Sequence, residues 1–353
     1  MRILLIALSG IGDALMFTPA LKKLKEEFPE SQIDALVMFK GVKDIYSNLP
    51  YINKVLYHDF LNSPKIKSLL FVLKLRKKYD ASINVYPSNR KEYNLINFII
   101  GAEKRAAIKY LRKDFLNLGW LNNLAVQEND ELHNVEENIK LCELVTGKSN
   151  DRIDPLEIIL KDENYKAADK FFKDQNIADE DLTIGFHAGC SMLKNHDKRR
   201  WETFKFAELA NKLIKEKNAY VLLFGGPEEK YLKDEIKSLT NSDRCIEVET
   251  NSLLDAAAVM QQCKVFVSND SSLMHVAAAL KLNIVAIIGP TNKNYIHPWQ
   301  TNYSIASLEL ECSPCFYYSP KPLTCSRTDI KFKCIKELGV EKIWELVTEK
   351  INE

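Results

Sequence analysis

No apolar stretch in this chain of 353 residues approaches the roughly 18 consecutive residues of a membrane span, so a membrane-crossing helix is not expected. Charge of one sign is lacking too. The 49 Lys and Arg nearly cancel the 48 Asp and Glu, leaving a net +1, and this excludes a global field for drawing in nucleic acid. Basic runs at 74–78 and 105–113 are local; each could touch an acidic headgroup or phosphates, with an ordinary solvated face as the plainer reading. Eight cysteines fall short of a disulfide scaffold's density. The run from Met1 to Ser9 is too short for a signal peptide before it meets Gly10-Ile11-Gly12-Asp13. These absences predict a soluble cytoplasmic protein. Internal repeats and low-complexity tracts are missing as well, and the length suits two domains.

What is present is alternation. Apolar runs at 3–8, 33–39, 54–57, 82–86 and 105–108 read as strands, with helices at 14–28, 66–78, 93–100 and 134–146, the last closed by Gly147. The second half repeats the scheme, with strands at 183–187, 219–224, 245–248, 264–268 and 284–288 and helices at 203–217, 228–239, 253–262, 271–280 and 340–351. Near-continuous apolar strands between amphipathic helices predict parallel sheets covered on both faces. The seam falls between Gly147 and Leu182, where a polar run at 148–155 precedes a strand-like 156–160 and a charged helix at 161–175. The expected class is α/β, two sheets of five or six strands each, with a ligand in the cleft between their strand C-termini.

Four segments carry chemistry. In Ser9-Gly10-Ile11-Gly12-Asp13, the glycines allow a sharp turn and close approach to a ligand. A dinucleotide fingerprint needs a third glycine where Leu15 stands, which disfavours a dehydrogenase. Asp13 serves either as a helix cap or as a general base able to take a hydroxyl proton. His187-Ala188-Gly189-Cys190-Ser191 ends a strand and leads into Lys198-Arg199-Arg200-Trp201, a turn followed by cations that can hold a diphosphate; a solvated loop is the alternative, and Trp201, able to anchor the segment, favours the diphosphate. Gly225-Gly226-Pro227-Glu228 ends another strand, with room for a flat base or ribose and Glu228 to accept ribose hydroxyls, or as a mere tight turn. In Asp270-Ser271-Ser272-Leu273-Met274-His275 a strand meets a helix N-terminus, where Asp270 caps or binds sugar hydroxyls and the N–H groups of Ser272 and Leu273 face a phosphate. His275 lies a turn inside, where packing is the plainer role.

In this order, and joined by Thr18-Pro19-Ala20-Leu21, Phe28-Pro29 and Gly289-Pro290-Thr291, these segments resemble glycosyltransferase family 9, the lipopolysaccharide heptosyltransferases. The likeness runs over about residues 1–300. It implies a GT-B fold of two Rossmann-like domains facing across a cleft: an acceptor-binding domain at 1–160, a nucleotide-sugar-binding domain at 161–338, and a final helix at 339–353 that packs back on the first domain. It also implies inverting transfer of a sugar, a heptose from ADP-heptose, to a lipopolysaccharide-core or other lipid-linked saccharide. No cofactor and no catalytic metal are implied. Asp13 matches the family's base, and Lys198 and Arg199 match its phosphate-binding lysine. The donor-binding set is Ser9, Gly10, Gly12, His187, Gly225, Gly226, Glu228, Asp270, Ser271, Ser272, Leu273, Met274 and His275. A lipid-linked acceptor implies peripheral contact with the inner face of the membrane. Two departures bear on donor preference. Arg199 replaces the usual Lys two places before the Trp, and Asp270-Ser271-Ser272 replaces Asp-Thr-Gly. A nucleotide-sugar epimerase on the same fold and a non-catalytic nucleotide-sugar-binding protein are the rival readings.

Cys312, Cys315, Cys325 and Cys334 crowd the C-terminal part. The first pair has metal-like spacing and the second does not. The cluster lies outside every segment above, so a structural role as metal site or disulfide staple is expected.

Overall fold

The computed structural model describes residues 1–149, 153–317 and 322–353, apart from the side chain of Leu193. Part of the polar seam, 150–152, lies outside the described residues. The chain divides into two compact units, Met1–Ile159 and Leu160–Tyr317 together with 322–353.

The first unit holds strands β1 (Arg2–Ala7), β2 (Gln32–Val37), β3 (Lys54–Tyr57), β4 (Ala81–Asn84), β5 (Lys104–Lys109) and β6 (Leu124–Gln127). They form one parallel sheet in the order β3-β2-β1-β4-β5-β6. Ile3 of β1 sits beside Ile33 on one side and Ala81 on the other. All of β1 beyond Arg2 is buried, as a central parallel strand covered on both faces must be. The second unit holds β7 (Thr183–His187), β8 (Tyr220–Leu223), β9 (Cys245–Glu247), β10 (Val265–Asn269), β11 (Asn283–Ile287) and β12 (Tyr303–Ala306), in the order β12-β11-β10-β7-β8-β9. Both sheets are therefore doubly wound in the same sense. In each, the order reverses between the first and fourth strand of the unit, and that reversal is where such sheets bind ligands.

The C-terminal helix Val340–Asn352 belongs to the second unit's core. It packs on the Thr203–Lys217 helix and on β10, β11 and β12. The reason is its apolar stripe: Val340, Ile343 and Val347 enter the same core as Trp201, Phe206, Leu213 and Val285. Among the elements not foreseen are β6, β12 and the helix Lys40–Asn48. The expected strand at 156–160 has no ladder partner among the described residues and is irregular chain. Among the described residues, no helix is long and apolar enough to cross a membrane.

Candidate functional site

In the first unit, β1 delivers Ser9 and the helix Ile11–Met16 to the point where the strand order reverses. The Ser9 hydroxyl donates to the Pro87 carbonyl, just past β4. The Tyr93 hydroxyl donates to the Leu8 carbonyl at 2.7 Å. Gly10 lies in extended backbone at φ −69°, which any residue adopts, so no turn demands its glycine. Its N–H donates to Asp13 Oδ2 at 3.0 Å. Asp13 thus caps the helix from inside, in part the role spacing alone suggested. It is half-buried, and its charge adds to the burial that pushes the phenols of Tyr46, Tyr93 and Tyr110 above their ordinary value, Tyr93 to about 12.

In the second unit the reversal lies between β7 and β10, and it gathers the other three chemistry-bearing segments. His187, at the end of β7, is buried; its Nδ1 is 2.7 Å from Ser271 Oγ and its Nε2 3.0 Å from Glu229 Oε2. Ser271 also meets Ser268 Oγ at 3.0 Å. It is the N-cap residue of the helix Ser272–Ala279, yet its side chain makes no cap bond there. Asp270 is not the cap. Its Oδ2 accepts from Arg199 Nη1 at 2.5 Å and from Thr291 Oγ1 at 2.6 Å. Arg199 is only 8% exposed. Its Nη2 lies 3.3 Å from His196 Nδ1, its guanidinium stands 5.6 Å from the Phe316 ring centre, and its Nε has no partner among the described residues. A buried N–H without an acceptor costs free energy unless something supplies one. Trp201 anchors the segment, donating through Nε1 to the Leu338 carbonyl at 2.9 Å, while its own N–H reaches Asn269 Oδ1 at 3.0 Å.

The other predicted residues sit in differing surroundings. Lys198 points outward: its side chain is 54% exposed and pairs with Asp197 at 3.0 Å, so Arg199 is the cation that reaches Asp270. Glu228 is exposed, and the acid that turns inward, half-buried, is Glu229. The turn Pro227–Glu229 is a tight 3-10 turn whose phase sends the second acid inward. A Cβ at Gly189 would stand 1.9 Å from Glu229 Oε1 and one at Gly225 would stand 2.9 Å from Oε2, so these glycines make room for the acid. Gly225 sits at φ +152°, and Gly226 N–H donates to Glu229 Oε2 at 3.2 Å. Leu273, Met274 and His275 are buried, which favours packing, and burial pushes the His275 imidazole down to about 4. Thr291, His196 and Phe316 were missed. Thr291 had a signal in the Gly289-Pro290-Thr291 run; the other two had none.

Burial alone would raise the Glu229 carboxyl, but His187, the Gly226 N–H and Arg200 outweigh it and hold it below its ordinary 4.5. The stabilisation this provides is complete above the unfolded value and is lost as the pH falls through the lower, folded one. Glu229→Gln should therefore lower the melting temperature at neutral pH, with the gap to the parent closing in melts below about pH 4. A gap that stays constant with pH would show that the carboxylate's charge is not what holds His187.

The four C-terminal cysteines approach one another: burial, and then Cys315, Cys325 and Cys312, push the Cys334 thiol up to about 11. All eight cysteines are free, and among the described residues no group of three or more metal-ligating side chains is placed to hold an ion. The expected separation from the site does not hold. Cys315 N–H and Phe316 N–H both donate to the Pro290 carbonyl, at 3.0 and 2.8 Å, and Phe316 bridges Thr291 and lies against Arg199. A cavity of about 460 Å³ in the same unit, lined by Lys170, Asp174, Lys237, Glu247 and Asp255, includes none of the candidate residues.

A model of the family described as glycosyltransferase family 9 (heptosyltransferase) matches residues 71–323. The lipooligosaccharide heptosyltransferase 2 of Haemophilus ducreyi is 27% identical over 318 residues, covering 84% of this chain and 86% of that protein. The structure of the family 9 glycosyltransferase of Veillonella parvula superposes with a TM-score of 0.78 at 22% identity, over 99% of this chain and 97% of that one. That of the Escherichia coli ADP-heptose lipopolysaccharide heptosyltransferase II gives 0.76 at 21% identity, over 100% and 99%. The two doubly wound units are thus those of the GT-B class, and the chain is a glycosyltransferase belonging to family 9, the heptosyltransferases.

Proposed function

We propose that this glycosyltransferase moves a heptose from ADP-heptose to a lipopolysaccharide-core saccharide with inversion at the anomeric carbon. The first unit would take the acceptor and the second the donor. Because such an acceptor is lipid-linked, the enzyme would work at the inner membrane face. The observation that carries the reading is Arg199, buried at the reversal of the second sheet with an N–H left over. A guanidinium held by Asp270 and Thr291 keeps one edge for an anion, and a diphosphate is the anion a nucleotide-sugar brings.

In the proposed step the acceptor hydroxyl oxygen attacks the anomeric carbon. The bond from that carbon to the diphosphate oxygen breaks, and the hydroxyl proton passes to the Asp13 carboxylate. Charge gathering on the leaving ADP is offset by Arg199. The two hydroxyls and the small cap at 270–272 accommodate the sugar and phosphates where backbone approach through a glycine is absent.

The test is to incubate the purified chain with ADP-heptose and a heptose-deficient core saccharide. Release of ADP together with an acceptor heavier by one heptosyl group, of inverted anomeric configuration, is the expected result. Consumption of donor to an isomer without acceptor would replace the reading with an epimerase. Tight donor binding with no turnover on any core acceptor would replace it with a binding protein.

A further inference from the structure

The helix Lys65–Leu73 reads Lys-Ile-Lys-Ser-Leu-Leu-Phe-Val-Leu, yet Val72 is its one fully buried residue. Ile66 is 73% exposed. Such a helix normally turns its apolar side chains to a core. Next to it packs the helix Lys91–Ile100, which leaves Phe98 exposed, and against that pack the two 3-10 turns Phe115–Asn117 and Gly119–Leu121. These turns present Phe115, Leu116 and Trp120, at 77, 70 and 60% exposure. Of the 19 exposed large hydrophobic side chains among the described residues, 11 fall between Leu61 and Trp120. An exposed apolar surface that is contiguous over several elements marks an interaction site.

The turns are held firmly. Asp114 Oδ1 accepts from the Tyr110 N–H at 3.0 Å, and a Cβ at Gly119 would collide with the Asp114 carboxylate at 2.3 Å. Asn94 Nδ2 donates to the Asn117 carbonyl at 2.8 Å, and Arg105 joins the face by standing over Phe98 at 5.8 Å while its Nε donates to the Leu121 carbonyl at 3.2 Å. The aromatic tips are therefore displayed by a fixed scaffold.

Charge identifies the partner. Residues 61–121 contain thirteen Lys and Arg against four Asp and Glu, a net of +9 in a chain whose total is +1. Lys74, Arg76, Lys77 and Lys78 are all exposed at the end of the Lys65–Leu73 helix. Basic side chains interleaved with exposed Leu, Ile, Phe and Trp fit the interface of an anionic bilayer, where cations meet headgroups and apolar tips enter the acyl boundary.

We infer that this face of the first unit, from the Lys65–Leu73 helix to the turns around Trp120, docks on a bilayer of anionic phospholipid. The inference gives a location to the membrane contact that the proposed acceptor requires, and rests on that reading for its purpose alone. Its test uses neither donor nor acceptor, so a failure of one is separable from a failure of the other.

The whole chain is sedimented with vesicles of phosphatidylcholine, or of phosphatidylcholine with three parts in ten of phosphatidylglycerol, at low and high salt. Binding to the anionic vesicles alone, weakened at least tenfold by high salt, is expected. Replacing Phe115, Leu116 and Trp120 with Ser, and separately Lys74, Lys77 and Lys78 with Glu, should each lower that binding tenfold or more. Both variants should keep the parental melting temperature and transfer to a delipidated acceptor. Equal binding to neutral vesicles, or unaltered binding by both variants, would overturn the inference. So would a dimer in gel filtration that the Ser variant dissociates, with no vesicle binding by the parent, since the face would then cover a second copy.

Discussion

Asp13→Asn should slow sugar transfer by about 10²- to 10⁴-fold, the usual worth of a positioned base, while donor affinity measured by calorimetry stays unchanged. The substitution is well suited to separating the two roles of this side chain. Asparagine keeps an oxygen that can accept the 3.0 Å bond from the Gly10 N–H, so the Ile11–Met16 helix still starts where it does. What disappears is the capacity to take a proton. A variant with near-normal turnover would reduce Asp13 to its observed capping bond and send the search for a base elsewhere in the first unit.

Arg199→Ala has two expected effects that come apart in a double mutant. Removing one partner of a buried ion pair leaves the other charge stranded, at a cost of about 3–5 kcal/mol, and Asp270 is only 6% exposed. Loss of a charge-assisted bond to the donor's diphosphate should further weaken donor binding by about 1.5–3 kcal/mol. Adding Asp270→Ala should recover much of the melting temperature without recovering donor affinity. Arg199→Lys keeps the charge but not the planar fork that reaches Asp270 and Thr291 together, and an intermediate affinity is expected. Full donor affinity in Arg199→Ala would mean that the guanidinium is a structural strut between β10 and the Thr291 segment.

Where local pattern and tertiary burial agree, the fold was legible before any coordinates. The strand Thr183–His187 and the helices Asn134–Thr146 and Thr203–Lys217 end where their apolar periods and caps end. The helix expected at 14–28 is two, because Pro19 opens a fresh helix at Thr18–Glu27. The two missed strands lie at the edges of their sheets and have only four residues each, too few for an apolar period to show. The helix Lys40–Asn48 has no side-chain cap to announce it.

At the site, the strand-end residues His187, Asp270 and Ser271 were legible because a strand-to-helix junction is a local event. Glu229 was missed by one position, since nothing in Pro-Glu-Glu says which acid a 3-10 turn sends inward. Thr291 and Phe316 reach Arg199 from far along the chain, and such meetings are decided by sheet order, which no local pattern encodes. The apolar content of 66–73 was visible, but that it stays uncovered was not.

The strand orders also govern how the protein is made. Residues up to Gln127 supply every strand of the first sheet, so that unit can close while the ribosome is still at work. The second cannot keep pace. Its central β7 waits for β10, and its core stays open until Val340, Ile343 and Val347 arrive to seal it. Domains fold as units in the order of synthesis, and unfinished parallel sheets expose sticky edges. During that interval the nascent chain is a finished N-terminal body trailing a half-built one, and it is the trailing part that chaperones must shelter. A message truncated just after Leu338 would give a product whose first unit survives and whose second aggregates.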